Sequence, residues 1–348
     1  AARRFVVAAL LLIAVVVGLN VATAMLEPTL LKTVSYAGRL TPDRVGWYLD
    51  ANPTPDILFM GSSRVYYGLD SDAAQQQVAS ADGVSVRAMN LGIANGDIEV
   101  NYLILKNLIT DARKPKVIVY GISDYELNSN LSRMTEQKPY FSQLLAMDDF
   151  AAYSGDSITD KSQFILERLL PLYRDHELIR DALTVAFDPE SPSHGNYDTG
   201  LISGNRTPAQ GGTVPEHSLT SAEIWDYAHQ FAVSDLRPFQ LNGVRLQRLN
   251  DFLDLAHQRG IDVVLVNLPA SGFYRTAWDS PKTMQTYIDT VRDVAQQHNT
   301  PLIDLYADSG RYIPPDGFAD GHHLNATGAR IVTTMVTRSY LIDEFRRH

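Results

Sequence analysis

The sequence predicts an α/β protein with a central parallel sheet, preceded by one N-terminal transmembrane helix. Three observations predict this class: short apolar segments alternate with segments of helical periodicity, polar clusters directly follow apolar segments, and residues 5–26 are apolar and uncharged. Strands that alternate with helices are typical of parallel sheets covered by helices on both faces. Such sheets bind ligands at the carboxyl ends of their strands, where these polar clusters fall.

Residues 5–26 read FVVAALLLIAVVVGLNVATAML and have the composition of a transmembrane helix. A helix of about 20 apolar residues crosses a hydrocarbon core of roughly 30 Å. Arg3 and Arg4 precede the segment, and the positive-inside rule then places the N-terminus in the cytoplasm and the following chain outside it. We therefore expect residues 1–26 to anchor the chain in the lipid bilayer. Residues 22–24 (ATA) also fit a cleaved signal peptide, which is the competing interpretation.

Residues 27–55 are mixed in character and punctuated by proline, which indicates a connector with a short helix at 45–49. The alternating pattern begins after it. The predicted strands are residues 56–60, 84–90, 116–120, 262–268 and 301–305. The predicted helices are residues 99–110, 241–260, 283–298 and 326–342. In the helix at 241–260, Leu246, Leu249 and Leu253 form an apolar stripe with helical spacing.

The alternating pattern is interrupted at about residues 125–238, which we interpret as an insertion in a domain of residues 56–348. Residues 161–187 have helical character, and residues 188–218 are rich in Gly, Pro, Ser and Asn. A long irregular stretch in a compact domain is usually functional or disordered. Because the insertion follows the third strand, we expect it to form a cap or a partner surface above the carboxyl edge of the sheet.

Composition limits the classes of function. With 348 residues, of which 45% are hydrophobic, the chain can bury a substantial core. The net charge is −10 and no basic tract follows the first few residues, so nucleic acid is not expected as a partner. Cysteine is absent, which excludes a disulfide framework and a thiolate nucleophile.

Two distant segments carry the residue types of a serine-nucleophile site. FMGSSRVYYG places Ser63 directly after a predicted strand, and FADGHHLNATG places Asp320 and His323 three residues apart. A serine hydroxyl needs a base within hydrogen-bond reach and a third group that fixes the tautomer of that base. His323 and Asp320 can fill these two roles for Ser63. This combination points to acyl-group chemistry.

Each segment also has a structural interpretation. Gly-Ser-Ser after a strand is often only a turn or a helix N-cap. The Asp-Gly-His-His sequence could be a surface loop, or half of a zinc site that Asp316, Asp320, His322 and His323 would share. No second ligand cluster with recognisable spacing accompanies it, so we predict neither a metal nor a cofactor.

The order of four blocks along the chain resembles the SGNH (GDSL-type) hydrolase superfamily. The blocks are Gly61-Ser62-Ser63, Asn90 to Asp97 (NLGIANGD), Gly121-Ile122-Ser123-Asp124, and Asp320 with His323, Asn325 and Gly328. The last block matches the family pattern Asp-x-x-His-x-Asn-x-x-Gly in full. The resemblance implies a three-layer, flavodoxin-like fold. It also implies that Ser63 is the nucleophile, with Gly96 as an oxyanion donor and Gly92 as a less favoured candidate.

Two positions depart from the family pattern. Ser62 stands where the family has aspartate, which mainly supports the turn, and Ser123 stands where the family has an asparagine that donates to the oxyanion. Losing an oxyanion donor costs on the order of a hundredfold in rate. Three outcomes stay open: Ser123 donates through a shifted geometry, Asn95 replaces it, or the site is weak.

Three further residues are candidates for substrate contact. Arg64 directly follows the nucleophile and could hold an anionic group of the substrate or a carboxylate of the cap; alternatively, it pairs with Asp70 or faces solvent. Tyr274 and Trp278 lie in the polar loop after Pro269 and could stack on a sugar ring. Aromatic residues near a sheet edge are more often part of the core, and this interpretation is favoured for Tyr66, Tyr67 and Phe273 but not for these two.

The first block also resembles that of membrane-tethered relatives, such as the D-alanyl transfer protein of teichoic-acid modification and, more loosely, the alginate O-acetyltransferases. This resemblance implies a single-pass membrane protein with an extracytoplasmic esterase or O-acyltransferase domain. Its substrate would be an acyl ester of an envelope or secreted glycan, and a membrane-bound O-acyltransferase is a candidate partner. The alternative is a catalytically inactive subunit that keeps the fold and serves a membrane complex.

Overall fold

A parallel sheet forms the centre of the protein. The computed structural model describes residues 2–33, 42–93, 96–131, 141–187, 229–230, 233, 235–241 and 243–347. Within them one sheet contains five strands, in the order β2-β1-β3-β4-β5. The strands are β1 (Ile57–Gly61), β2 (Ala88–Gly92), β3 (Val117–Ile122), β4 (Asp262–Asn267) and β5 (Leu302–Asp304).

The strand order changes direction between β1 and β3. β1 pairs with β2 on one side and with β3 on the other, both in parallel. In open α/β sheets such a switch point is where ligands bind, outside the carboxyl ends of the strands. At that edge Gly61 is in register with Gly92 of β2 and with Gly121 of β3. The segments that follow β1 and β3 therefore begin side by side.

Helices surround the sheet and connect its strands. In chain order, the described α-helices are α1 (Ala2–Thr33), α2 (Pro42–Asp50), α3 (Ser63–Gly68), α4 (Ser71–Asp82), α5 (Ile98–Leu103), α6 (Phe150–Tyr153), α7 (Ile158–Leu169), α8 (Pro171–Arg174), α9 (His176–Phe187), α10 (Val244–Gln258), α11 (Gly272–Arg275), α12 (Pro281–Gln297), α13 (Ser309–Tyr312), α14 (Ala326–Val336) and α15 (Ile342–Arg346). Short π-helical segments, Ile104–Leu108 and Thr337–Leu341, extend α5 and join α14 to α15.

Two apolar cores separate the sheet from its helices. Leu58 and Met60 of β1 enter the core that is shared with α2, α5, α10 and α12. Ile57 and Phe59 of the same strand enter the opposite core, with α3, α4, α14 and α15. Alternate side chains of a strand point to opposite faces, so both faces of β1 are buried. The predicted three-layer α/β architecture with a parallel sheet is confirmed.

The second strand begins later than its sequence predicts. Residues 84–90 were expected to form it, whereas β2 starts at Ala88. The carbonyl of Arg87 accepts the N–H groups of Asp56 and Ile57, so the chain enters the sheet only at this point. The apolar pattern at 84–86 reflects partial packing of Val86 rather than strand pairing.

The first helix is long and apolar enough to cross a membrane. The candidate span is Arg3–Leu31, in which the most apolar 18-residue window has a mean hydropathy of 2.8, and its apolar side chains are mostly exposed. The end of α1 is attached to the domain, because Leu31 packs in the same core as Val45 and Tyr48 of α2. The helix therefore continues beyond residues 5–26 into a segment that contacts the protein.

The predicted insertion at 125–238 is only partly described. Residues 141–187 contain two short 3-10 helices (Phe141–Leu144 and Met147–Asp149), followed by α6, α7, α8 and α9. The helical character expected for 161–187 agrees with this. The irregular segment expected at 188–218 lies outside the described residues, and the boundaries of the insertion stay a prediction.

Candidate active site

The nucleophile candidate lies on a tight turn between β1 and α3. Gly61 has a φ of 146°, and a Cβ at this position would lie 2.5 Å from the carbonyl oxygen of Gly121. Only glycine fits such a backbone and such a close approach. Ser62 caps α3, since its Oγ accepts the N–H of Arg64 at 3.3 Å. Ser63 is then the first residue of α3, and its N–H has no acceptor within the helix.

Ser63, His323 and Asp320 form a continuous hydrogen-bonded relay. The Oγ of Ser63 lies 2.8 Å from Nε2 of His323, across 260 residues of sequence. Nδ1 of His323 lies 2.6 Å from Oδ2 of Asp320. Asp320 is fully buried, His323 is nearly so, and Ser63 is half-buried. The arrangement is the one that a serine nucleophile, its base and a group that orients the base require.

The carboxylate of Asp320 is held in its ionised form. Burial opposes ionisation, but the nearby imidazoles of His323 and His322 and the hydrogen bonds from both residues outweigh it and lower the pKa of Asp320 below its usual value. Its other oxygen, Oδ1, accepts the N–H groups of His322 and His323 at 2.8 Å each. An ionised Asp320 keeps the proton of a neutral His323 on Nδ1, so the lone pair of Nε2 faces the Ser63 hydroxyl.

The loop that carries Asp320 and His323 is fixed at both ends. Phe318 and Leu324 form an isolated antiparallel bridge across it. Asn325 caps α14, where its Oδ1 accepts the N–H groups of Thr327 and Gly328, and its Nδ2 donates to the carbonyl of Asp316 at 2.5 Å. The asparagine of the last block therefore holds the loop on the helix and does not contact the nucleophile.

Tyr67 also contacts the imidazole of His323, although the sequence did not assign it a role beside the relay. The ring of Tyr67 lies 5.1 Å from that of His323, edge to face. Tyr67 also packs edge to face on Tyr66, whose hydroxyl accepts a hydrogen bond from Arg44 at 2.9 Å. Burial raises the pKa of Tyr67. The tyrosine pair after Ser63 thus forms a wall beside the base.

The candidate oxyanion donors are bonded within the protein. The N–H of Gly96 donates to the carbonyl of Ile93 at 2.7 Å, and the N–H of Gly92 donates to Oδ1 of Asn90 at 2.8 Å. The Oγ of Ser123 lies 2.9 Å from the Oγ of Ser62. Asn95 lies outside the described residues. The oxyanion roles of Gly96, Ser123 and Asn95 stay predictions.

The two serines that depart from the family pattern contact each other. Ser62 and Ser123 are both completely buried, one after β1 and the other after β3. Their hydrogen bond links the turn before the nucleophile to the neighbouring strand. The two departures are therefore complementary, because each serine supplies the partner that the other needs.

Next to this contact lies a buried ion pair. Nη2 of Arg64 is 2.8 Å from Oδ1 of Asp124, and both side chains are buried. Asp124 also accepts the hydroxyls of Tyr306 at 2.7 Å and Tyr274 at 3.3 Å, and the N–H of Tyr125 at 2.9 Å. Although burial disfavours the charged guanidinium, the carboxylate of Asp124 raises the pKa of Arg64. The network ties the turn of the nucleophile to β3.

Arg64, Tyr274 and Trp278 have structural partners. Tyr274 and Trp278 were expected to lie in an open polar loop, yet both are buried. The guanidinium of Arg64 stacks on the Tyr274 ring at 4.8 Å, and Nε1 of Trp278 donates to the Tyr306 hydroxyl at 2.7 Å. The partner of Arg64 is Asp124, not Asp70. The substrate-binding role of all three residues stays a prediction.

The relay residues also resemble a small metal site. Ligand atoms of Asp320, His322 and His323 lie within 4.8 Å of one another. Both nitrogens of His323 already serve the relay, however, one toward Ser63 and the other toward Asp320. A cation at His323 would displace one of these contacts, so the two uses of the loop compete.

Several solved structures are similar to the chain. A lipase/acylhydrolase from Enterococcus faecalis is 14% identical, with a TM-score of 0.41, and the match covers 83% of this chain and 95% of that one. The acetyl xylan esterase AlAXEase is 14% identical, with a TM-score of 0.40, and the match covers 82% of this chain and 98% of that one. A GDSL-like lipase from Bacteroides thetaiotaomicron is 12% identical, with a TM-score of 0.36, and the match covers 83% of this chain and 88% of that one. The chemistry assigned to the site therefore depends on its own geometry.

Sequence comparison supplies the family. No curated protein matches the chain. One family matches residues 56–340, which include the whole sheet and all three residues of the relay. The chain therefore belongs to the family described as "Protein of unknown function (DUF1574)".

Proposed function

We propose that this chain is a membrane-anchored serine esterase or O-acyltransferase of the SGNH type. The observation that carries the proposal is the relay from Ser63 Oγ through His323 to Asp320, with separations of 2.8 Å and 2.6 Å. The relay lies at the switch point of a parallel sheet, where substrates of such folds bind. A buried structural histidine has no need of an ionised partner on one side and a half-exposed serine on the other.

The first step forms an acyl-enzyme. Ser63 Oγ attacks the carbonyl carbon of an ester while Nε2 of His323 takes the hydroxyl proton. Asp320 stabilises the imidazolium that results. The tetrahedral intermediate then collapses, the bond to the leaving alcohol breaks, and His323 returns the proton to that alcohol. The acyl group is left on Ser63.

The second step releases the acyl group. A water molecule or a sugar hydroxyl loses its proton to His323 and attacks the acyl carbon, and the bond to Ser63 Oγ breaks. His323 then returns the proton to Ser63. With water the enzyme is an esterase, and with a sugar hydroxyl it is an O-acyltransferase. The same three residues serve both outcomes.

The proposed oxyanion donors are the N–H groups of Ser63 and Gly96, assisted by Ser123 or Asn95. The N–H of Ser63 is suited to this role because it begins α3. The N–H of Gly96 has to leave the carbonyl of Ile93, to which it donates at 2.7 Å. Substrate binding would therefore include a rotation of the peptide that precedes Gly96.

The proposed location is the outer side of a cell membrane, with α1 as a single span and the N-terminus in the cytoplasm. The length and hydropathy of Arg3–Leu31 support a span, and the two arginines before the apolar segment support this orientation. Acyl esters of an envelope or secreted glycan are then the proposed substrates. A membrane-bound O-acyltransferase is the proposed partner, since it could supply acyl groups across the bilayer.

Hydrolysis of p-nitrophenyl acetate, with and without an oligosaccharide acceptor, tests the proposal. We expect the full chain to release p-nitrophenol and Ser63→Ala to release none above background. Ser80→Ala, which removes an exposed serine from α4, should keep the activity. Acetylated oligosaccharide in the product would identify transfer, and acetate alone would identify hydrolysis. A folded wild-type chain that releases no p-nitrophenol would contradict the proposal.

A second candidate is a catalytically inactive subunit of a membrane complex. The N–H of Gly96 and the hydroxyl of Ser123 already bond to other groups of the protein, and this favours an inactive subunit. It leaves unexplained why the Asp320 to His323 contact is complete. Failure of the assay above, for a folded chain, would favour this candidate over the enzyme.

A further inference from the structure

A group of apolar side chains on α7, α8 and α9 faces outward. Ile158 is 85% exposed, Leu169 63%, Leu183 52% and Phe187 84%. Ile165 and Tyr173 are exposed to a lesser degree. We call these six residues the apolar ledge. Single exposed apolar side chains are common, but a group on three consecutive helices marks an interaction surface.

The exposure follows the geometry of α7. Ile158, Ile165 and Leu169 are separated by seven and four residues, which places them on one face of the helix. Phe164 lies on another face, where it is buried and packs edge to face on Phe150. α7 therefore has one apolar face toward the protein and a second one away from it.

The helices of the ledge are attached to α1. Oδ1 of Asn20 accepts the N–H of Leu172 at 3.1 Å. Glu27 pairs with Arg174 at 2.7 Å. Both α8 and α9 contact α1, and α7 contacts α8. Residues 172–174 thus follow α1 from Asn20 to Glu27.

These contacts set the depth of the ledge. Glu27 is the first charged residue after the uncharged segment 5–26. Asn20 lies seven residues before it, or about 10 Å along a helix that rises 1.5 Å per residue. When α1 spans a bilayer with Glu27 at its outer boundary, Leu172 lies inside that boundary. The exposed side chains beside it then meet acyl chains instead of water.

The charged residues of these helices are largely paired. Arg174 also contacts Asp175, Arg180 contacts Asp181, and Arg168 contacts Glu167. Arg168 lies over the ring of Phe164 at 4.9 Å. Pairing lowers the cost of bringing these side chains to the lipid headgroups, and the long stems of arginine can reach the interface.

We propose that the apolar ledge lies in the outer leaflet of the bilayer, as a second membrane contact beside α1. The inference rests on the membrane anchor of the proposed function, and it goes beyond it, because it orients the catalytic domain on the membrane surface. A single span can tilt in the bilayer and carry the attached domain with it. Two contacts instead hold the carboxyl edge of the sheet at a fixed height and direction relative to the lipid.

The exposed apolar surface of α1 continues toward the ledge, and this favours lipid as the molecule that covers the ledge. The outward side chains of α1 next to Asn20, Val16 and Leu19 among them, are themselves about half exposed. In the proposed placement, the bilayer that covers these side chains extends sideways to α8, which contacts α1 at Asn20, and to the exposed Leu169 just before it. Transfer of such side chains from water into hydrocarbon is favourable in proportion to the apolar area that leaves water. A partner protein would have to displace lipid from this surface.

Single cysteines test the proposal cleanly, because the chain contains no cysteine. Leu169→Cys and Leu183→Cys report on the ledge, Val15→Cys on the span, and Ser80→Cys on the opposite layer of the domain. Each variant of the full chain is labelled with an environment-sensitive fluorophore and reconstituted in phosphatidylcholine vesicles. Quenching is measured with lipids spin-labelled near the top of the acyl chain and, separately, with aqueous iodide.

We expect spin-labelled lipid to remove most of the emission at positions 169 and 183, where iodide should have little effect, and the reverse at position 80. Quenching of the ledge positions by iodide would overturn the proposal. Protection from both quenchers would also overturn it, since a protein surface or a second copy would then cover the ledge. Quenching at position 15 alone would show that the anchor is in the bilayer while the ledge is not. Ester hydrolysis by the same vesicles reports on the proposed function independently.

Discussion

The two sides of the candidate nucleophile differ in how complete they are. On the base side, Ser63, His323 and Asp320 are already joined by short hydrogen bonds. On the oxyanion side, the N–H of Gly96 and the hydroxyl of Ser123 bond to other groups of the protein. The proposed activation of the nucleophile and the proposed stabilisation of an oxyanion therefore depend on separate parts of the chain.

The difference has a structural cause. The base side is one loop, whose spacing is fixed by Asp320 and by the cap that Asn325 provides to α14. The oxyanion side is assembled from the ends of β1, β2 and β3, where a change in one segment requires a matching change in its neighbour. The contact between Ser62 and Ser123 is such a matched pair.

The largest expected effect separates the two neighbouring histidines. His323→Ala should lower the rate of ester hydrolysis on the order of a millionfold, because the nucleophile loses its base. His322→Ala is the matched control and should cost far less, since the His322 ring packs on Tyr274 and His323, whereas the imidazole bonded to Ser63 is that of His323. Steady-state rates with p-nitrophenyl acetate measure both. Equal losses would remove the assigned base.

Asp320→Asn should cost roughly ten-thousandfold, less than the loss of the base itself. Asp320 accepts with both oxygens, Oδ1 from the N–H groups of His322 and His323 and Oδ2 from Nδ1–H of the imidazole, whereas an amide has only one oxygen. When that oxygen stays on the N–H groups, the amide NH₂ faces Nδ1 and favours the wrong tautomer of the imidazole. The variant keeps the shape of the side chain, and near-wild-type thermal stability is the control. A rate within a few-fold of wild type would mean that Asp320 only supports the loop.

A smaller effect is expected on the oxyanion side. Ser123→Ala should lower the rate by about a hundredfold to a thousandfold, the range for loss of one oxyanion donor. The matched control Ser62→Ala removes the same hydrogen bond from the other partner. Equal effects of the two variants would mean that Ser123 acts through Ser62, whereas a larger effect of Ser123→Ala would assign it direct contact with the oxyanion. A loss as large as that of His323→Ala would contradict the contrast between the two sides.

The smallest effect concerns stability, and it compares two buried carboxyl groups. The pKa of Asp320 is lowered, whereas burial raises the pKa of Glu126 to about 7, against hydrogen bonds from Tyr120 and Ser123. A carboxyl group whose pKa is raised by folding binds more protons in the folded state than in the unfolded state. The contribution of Glu126 to the free energy of unfolding therefore falls as the pH rises from 4.5, the ordinary pKa of glutamate, to about 7.

Glu126→Gln should remove this slope. The free energy of unfolding of wild type, relative to the variant, is expected to fall by up to about 1.4 kcal/mol for each pH unit in that window. Denaturant titrations at several pH values measure the difference. The Asp320 contribution has the opposite sign, being present at neutral pH and lost as the pH falls through acid values, and it is common to both proteins. If the free energy of unfolding changed with pH in the same way for wild type and Glu126→Gln, the pKa of Glu126 would not be raised by folding.

The order of strands and the base side of the site could be predicted from local patterns. The strand predicted at 262–268 agrees with β4, and the last block places Asp320 and His323 three residues apart on one loop. The ion pair of Arg64 with Asp124 could not be predicted, because 60 residues separate its partners and neither segment carries a pattern that names the other. For the same reason Tyr274 and Trp278, which the local sequence places in a polar loop, are in fact buried.

Covalent labelling of Ser63 by a fluorophosphonate tests the central claim most directly. The probe reacts only with a serine whose hydroxyl is activated by a base, independently of the natural substrate. The relay predicts one labelled site in the folded full chain, located at Ser63 by peptide mass spectrometry and lost in Ser63→Ala. A folded wild-type chain that stays unlabelled, or that is labelled at another serine while Ser63 is free, would contradict the account.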